Sequence, residues 1–217
     1  QDRNALLVAK ATAAGIDGWL SDQLGVPLNR IESVSDVGKG RTIYKISVAG
    51  ERSYVLKEKT NRLQEAFNEL AALFGVAAPR SAFYETGGRY WELAPFLDEH
   101  QVFHYTKDHL FDIYPTAAAF GDFIGLGDRH FENYISRGDQ LIAIDVSHLM
   151  EPDNELWTKK YISGGLYECC LLQYYVTDVG QFDQYLTRFF KGYEAASERL
   201  FNRLDTVGND ASGQLSK

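Results

Sequence analysis

The spacing of apolar residues changes along the chain, and each change marks a different kind of element. In residues 4–24 the apolar positions Leu6, Leu7, Ala14, Ile16, Trp19, Leu20 and Leu24 predict two short helices divided near Gly15 and Gly18. This segment, residues 1–30, is expected to dock on the main domain or on a partner. From Ile31 the pattern becomes that of strands. Residues 31–34 lead into a loop over 35–41, and Thr42 to Val48 alternates with β-branched residues. A tight turn at Ala49-Gly50-Glu51 then leads to a third strand, Arg52 to Glu58.

Helical spacing returns at residues 62–74, where Leu63, Phe67, Leu70 and Phe74 make one stripe. Gly75 ends that helix. Strands over 80–84 and 89–97, joined at Gly87-Gly88, complete a five-stranded antiparallel sheet, and Pro95 ends regular pairing in the last of them. Beyond residue 98 the pattern is mostly helical. Helices are predicted over 111–124, 161–175 and 182–204, followed by a frayed tail over 205–217. The organisation is therefore α+β: an extension over 1–30, a sheet-bearing part over 31–97, a helical part over 98–204, and a tail.

Composition narrows the function classes. With 217 residues, 45% hydrophobic and 24% charged, and thirteen each of Tyr and Phe, the chain suits one packed domain or a two-part unit. No apolar run approaches the roughly 18 residues of a membrane span. Cys169 and Cys170 are adjacent, which makes no disulfide framework and points to a reducing, cytoplasmic setting. His100, His104 and His109 lack a metal-ligand pattern and read as surface histidines. A net charge of −8 argues against nucleic acid as a partner. The distribution is uneven, however. Lys39, Arg41, Lys45, Arg52, Lys57, Lys59 and Arg62 are opposed locally by Glu51 and Glu58 alone. Such a patch in an acidic chain fits a small anionic ligand such as a nucleoside triphosphate.

Two stretches carry candidate chemistry. In the loop between the first two strands, Gly38 and Gly40 let the backbone approach phosphate oxygens, with Lys39 adding positive charge. Further on, Asp128 is followed five residues later by Asn133, and twelve beyond that by Asp145 at the end of an apolar run, residues 141–144. Asp128 is placed to orient or deprotonate an attacking hydroxyl. Asn133 and Asp145 offer hard oxygen ligands to Mg²⁺.

The order of a Gly-containing loop, Val55-Leu56-Lys57, a helix acid, a strand ending at Pro95, and Gly127-Asp128-Arg129-His130-x-x-Asn133 with Ile144-Asp145 resembles the protein-kinase-like superfamily. The reversed Asp-Arg-His is similar to the phosphatidylinositol 3- and 4-kinase-related branch, in a minimal form. The resemblance implies a two-lobed kinase-like fold, with an N-lobe of five antiparallel strands plus one helix and a mostly helical C-lobe. It implies ATP and Mg²⁺ as cofactors, Lys57 on the phosphates, Glu69 (favoured over Glu65) as partner of Lys57, and the backbone of Glu92 and Ala94 as the adenine hinge. It also implies Asp128 as catalytic acid residue, His130 assisting proton transfer, and Asn133 and Asp145 on the metal. Val146-Ser147 stands where that family has Phe-Gly, and no basic run for a phosphorylated inositol headgroup follows Asp145. The expected activity is that of a compact atypical protein kinase acting on a Ser or Thr hydroxyl. Its partners would be a protein or lipid acceptor and an activating protein, and its location the cytoplasm, or a host cytoplasm if the chain is an effector. A phosphoinositide or small-molecule kinase, a nucleotide-binding module without activity, and adenylyl transfer are the alternatives.

Overall fold

The structure, a computed structural model, describes residues 3–37, 43–50, 52–96, 107–127, 133–146, 149 and 179–215. The chain divides into two compact units, residues 1–65 with 79–98 and residues 66–78 with 99–217.

The first unit opens with helices α1 (Arg3–Ala14) and α2 (Asp17–Leu24) and a 3₁₀ turn, Leu28–Arg30. Gly25 ends α2 in the left-handed conformation, its amide bonded to the Ser21 and Asp22 carbonyls. Strands β1 (Ser33–Asp36), β2 (Ile43–Val48), β3 (Arg52–Lys59), β4 (Ala82–Thr86) and β5 (Arg89–Pro95) follow. They form one antiparallel sheet in the order β1-β2-β3-β5-β4. Alternation assigns the two faces. Tyr44, Ile46, Val48, Leu56, Trp91 and Leu93 form one buried cluster with Leu7, Ala11, Ile16, Leu20 and Leu24 of the two helices. Of the two dockings expected for the N-terminal segment, the structure shows the one on the sheet. Trp19 stacks on Tyr84 of β4 at 5.3 Å, and the Lys10 ammonium donates to the Tyr44 hydroxyl at 2.6 Å.

Helix α3 (Leu63–Phe74) runs across the division between the units. In the second unit it is joined by α4 (Lys107–Phe123), the hairpin β6 (Tyr134–Arg137) and β7 (Gln140–Ala143), and the long helix α5 (Val179–Leu215). Aromatic side chains dominate the packing. Phe120 lies against Phe67 and Phe74, Phe123 meets Phe74 and Phe201 edge-on, and Tyr114 packs on Phe189 at 5.4 Å. Helix α5 passes Pro115 of α4 at Gly192, where a Cβ would sit 3.0 Å from the proline ring. The Arg188 guanidinium donates to Asp112, and the Tyr193 hydroxyl donates to Asp122 at 2.7 Å.

The α+β class, the five-stranded antiparallel sheet and the helical remainder match the expectation. Differences lie at the margins. The expected tail continues α5 to Leu215, with the Thr206 hydroxyl donating to the Asn202 carbonyl. No proline interrupts the chain there, and Gly208 and Gly213 weaken a helix without breaking it. Strand β6, absent from the sequence reading, pairs with β7 across a turn where Gly138 adopts φ 59°. The helix expected over 161–175 lies outside the described residues.

Candidate active site

The stretch that suggested chemistry begins as a helix cap. Gly125, at φ 65°, ends α4 with its amide on the Asp122 carbonyl, and Leu126 donates back to the Gly121 carbonyl at 2.8 Å. This double bond is the left-handed stop for which glycine is suited. Leu126 is buried, so the chain enters the Gly127–Asn133 segment from a fixed point. Asp128 and His130 lie outside the described residues.

The far end of that segment is defined by the hairpin. Tyr134 pairs with Ala143, and one step beyond that pair the Ile144 amide donates to the Asn133 carbonyl at 2.9 Å. Asn133 and Asp145, twelve positions apart in sequence, are thereby set at the same end of the β6–β7 ladder. Asn133 is 7% exposed and Asp145 is half-buried. Asp145 stands at φ 55°, the positive-φ position held by a residue other than glycine among the described residues. A left-handed residue at the end of a strand turns the chain sharply, and Asp tolerates that conformation better than most side chains. One carboxylate and one carboxamide oxygen donor are of the kind that Mg²⁺ accepts, and so they fit that ion. Among the described residues, no group of three or more His, Cys, Asp or Glu side chains gathers to hold a metal.

In the first unit the sheet face opposite the helices gathers the positive charge. Ile43 pairs with Lys57, Lys57 with Glu92, and Glu92 with Phe83, so one row crosses β2, β3, β5 and β4. The two-residue period places Lys45 and Lys59 on the same face. Lys45 lies 3.7 Å over the Phe96 ring, and Ser47 and Ser53 share a hydrogen bond. Lys59 pairs with Glu92 at 3.5 Å, and Ser81 donates to the other Glu92 oxygen at 2.7 Å. Ser81 was not singled out by sequence, and Lys59 was named only as a member of the basic patch. For Lys59 the signal was present, because it stands two residues from Lys57 on a strand. Gly38, Lys39 and Gly40 lie outside the described residues.

Two expected roles change. Glu69 is exposed, on the side of α3 away from buried Gln64, Phe67 and Ala71. Within the first unit Glu65 reaches the sheet, and its carboxylate accepts from the Tyr90 hydroxyl and from Arg62 at 2.7 Å. Arg62 also lies 5.6 Å over the Tyr90 ring, and Phe83 stacks on that ring at 5.8 Å. The hinge assignment changes as well. Phe96 donates its amide to Ser53 of β3. Alternation along the ladder then directs the amides of Ala94 and Glu92, paired with Val55 and Lys57, toward β3 too. Those two amides are engaged in the sheet.

The Tyr90 hydroxyl, and after it Arg62, hold the Glu65 carboxyl below its ordinary 4.5, with burial opposing. Burial first, then Glu65, pushes the Tyr90 phenol up, which keeps it a donor. A carboxylate whose folded pKa is depressed contributes stability above its unfolded value and loses it as pH falls through the folded one. Urea unfolding of wild type is therefore expected to weaken more steeply below pH 4.5 than that of Glu65→Gln. Equal acid slopes for the two proteins would remove the Glu65–Tyr90 contact from the account.

No protein-family model matches the chain, and no curated protein matches it. Among solved structures, the chain is similar to a thermostable mutant of aminoglycoside phosphotransferase APH(4)-Ia in its apo form, with TM-score 0.40 and 9% identity over 88% of this chain and 98% of that one. It is also similar to a ternary complex of such a mutant with ADP and hygromycin B, with TM-score 0.42 and 10% identity over the same shares. Among the described residues, no helix is long and apolar enough to cross a membrane.

Proposed function

We propose that the chain is an ATP- and Mg²⁺-dependent phosphotransferase that moves a phosphoryl group to an alcohol, with a protein Ser or Thr hydroxyl as the acceptor. The observation that carries this reading is the union of Asn133 and left-handed Asp145 at one end of the β6–β7 hairpin, following the Asp128 segment. The supporting observation is the lysine-bearing face of the sheet, with Lys57 at its centre.

Phosphoryl transfer asks little covalent chemistry of a protein and much positioning and charge neutralisation. Asp128 takes the proton of the acceptor hydroxyl, whose oxygen attacks the γ-phosphorus as the bond to the β-phosphate oxygen breaks and ADP leaves. His130 assists that proton movement. Lys57 holds the α- and β-phosphates, with the Gly38-Lys39-Gly40 loop supplying amide hydrogens to them. Asn133 and Asp145 would hold Mg²⁺, which when bound would offset the charge of the phosphates. The protein acceptor is favoured because the chain is acidic and carries no basic run after Asp145.

The test is incubation of the full chain with γ-labelled ATP and, in separate arms, protein mixtures, phosphoinositide vesicles and small polyols. Mass spectrometry of the products follows. Phosphorylated Ser or Thr is the expected result. Label confined to lipid or small alcohols would move the acceptor, and addition of AMP would change the group transferred. ATP bound without transfer in any arm would replace the enzyme with a nucleotide-binding module, the reading that Val146-Ser147 in place of Phe-Gly favours.

A further inference from the structure

Glu92 is a carboxylate where a sheet interior ordinarily holds an apolar side chain. Its side chain is 4% exposed, and one oxygen accepts from the Ser81 hydroxyl at 2.7 Å. The other, Oε2, has no hydrogen-bond partner among the described residues, although the Lys59 ammonium lies 3.5 Å away. Burying a carboxylate with one neutral hydrogen bond and one loose ion pair costs stability relative to an apolar residue of the same size. A fold that keeps such a group gains something else from it. The register shows what lies nearby: Lys57 is directly across the ladder from Glu92, with Cβ atoms about 5 Å apart in such pairs, and Lys59 is its diagonal neighbour on the same face. Glu69 is exposed, and Glu65 is bound to Tyr90 and Arg62.

We propose that Glu92 is a positioning residue for the Lys57–Lys59 pair, supplying counter-charge to it from within the sheet. Ser81 fixes one oxygen, so Oε2 is held toward the Lys59 amine rather than free to rotate. The lysines are thereby set on one face with their charge directed, and they receive the phosphates of the nucleotide without reorganisation. The inference rests on the phosphotransferase reading and deepens it. Glu92 does not touch the nucleotide in this account; it acts through the lysines.

The experiment compares wild type with Glu92→Gln, Glu92→Asp and Ser81→Ala in the full chain. It measures KM for ATP, KM for the acceptor, kcat, and the thermal midpoint. Glu92→Gln keeps the shape and an acceptor for Ser81 but removes the charge. It is expected to raise the KM for ATP about tenfold, the scale of one charge-assisted hydrogen bond, and to leave the KM for the acceptor unchanged. Glu92→Asp is expected to recover part of that loss. Ser81→Ala, which keeps the charge but frees its rotation, is expected to shift the same constant a few-fold, and it carries the test should Glu92→Gln not fold. An unchanged KM for ATP in the folded variants, or equal shifts in both KM values that track the melting point, would overturn the assignment. Wild type that turns over ATP normally beside an unaffected Glu92→Gln sinks only this inference. Wild type that transfers nothing sinks the phosphotransferase reading as well.

Discussion

Replacement of Asp145 by Ala is expected to lower phosphoryl transfer by about a thousandfold or more while the chain remains folded. The size follows from the proposed role: a carboxylate holding an ion that offsets phosphate charge would supply several kcal/mol of transition-state stabilisation, and each ~1.4 kcal/mol is a factor of ten. The geometry makes a structural alternative testable. Asp145 sits at φ 55°, a conformation that costs a residue other than glycine about 1–3 kcal/mol and persists where the surroundings impose it. Asp145→Asn keeps the side-chain shape and a similar tolerance of that conformation but removes the charge. Transfer by Asp145→Asn should fall about a hundredfold at the least, with the thermal midpoint held near that of wild type. A residue kept for turn geometry would behave in the opposite way, with Asn harmless to activity and Ala costly to folding. Equal label transferred by wild type and Asp145→Ala would end the metal assignment.

The fold was legible where identity and spacing agreed. Strands β2 and β3 show their alternation directly, because Tyr44, Ile46 and Leu56 are both hydrophobic and buried. The phase of α3 was not legible for the converse reason. Its buried positions include Gln64 and Ala71, which no hydrophobic stripe reveals, while Leu73, which is hydrophobic, is 46% exposed. Reading the stripe from Leu63, Phe67, Leu70 and Phe74 rotated the helix and brought Glu69 inward in place of Glu65. The hinge failed on a different scale. Which side of a strand its amides face depends on hydrogen-bond parity with the neighbouring strand, and the Phe96–Ser53 bond that sets it is not written in residue types. Strand β6 was missed because Tyr134-Ile135-Ser136-Arg137 is too short to show alternation, although Gly138-Asp139 was a usable turn signal.

The candidate site was legible as a set of residue types and spacings. Asp128, Asn133 and Asp145 were singled out because carboxylates and carboxamides suit magnesium and phosphate, and the hairpin sets two of them, Asn133 and Asp145, at one end of its ladder. What the spacing did not contain was the backbone strain at Asp145 or the buried acid at Glu92. Both depend on neighbours distant in sequence: Ile144 bonded to Asn133, and Ser81 and Lys59 around the Glu92 carboxylate.

The lysine face of the sheet also depends on what lies behind it, and this leads to the second large effect. Leu20 of α2 is fully buried, in one cluster with Ile46, Val48, Leu56 and Leu93 of the sheet. Leu20→Ala removes methyl groups from that cluster and leaves a cavity, at an expected cost of ~2–5 kcal/mol. A domain holds only ~5–15 kcal/mol in total, so this one change takes a large fraction of it. Phe201→Ala is the control: it deletes a larger side chain, but one that is 59% exposed, and the expected change is below about 1 kcal/mol. Urea titration followed by tryptophan fluorescence is weighted to the right region, because two of the three tryptophans, Trp19 and Trp91, belong to the first unit and Trp157 to the second. Leu20→Ala should unfold at markedly lower urea, and the loss of ATP binding should track its midpoint, since Lys57 is carried on the same β3 strand as Leu56. Helices α1 and α2 would then be part of the support for the phosphate lysines. A midpoint for Leu20→Ala equal to that of wild type would instead make them dispensable cover.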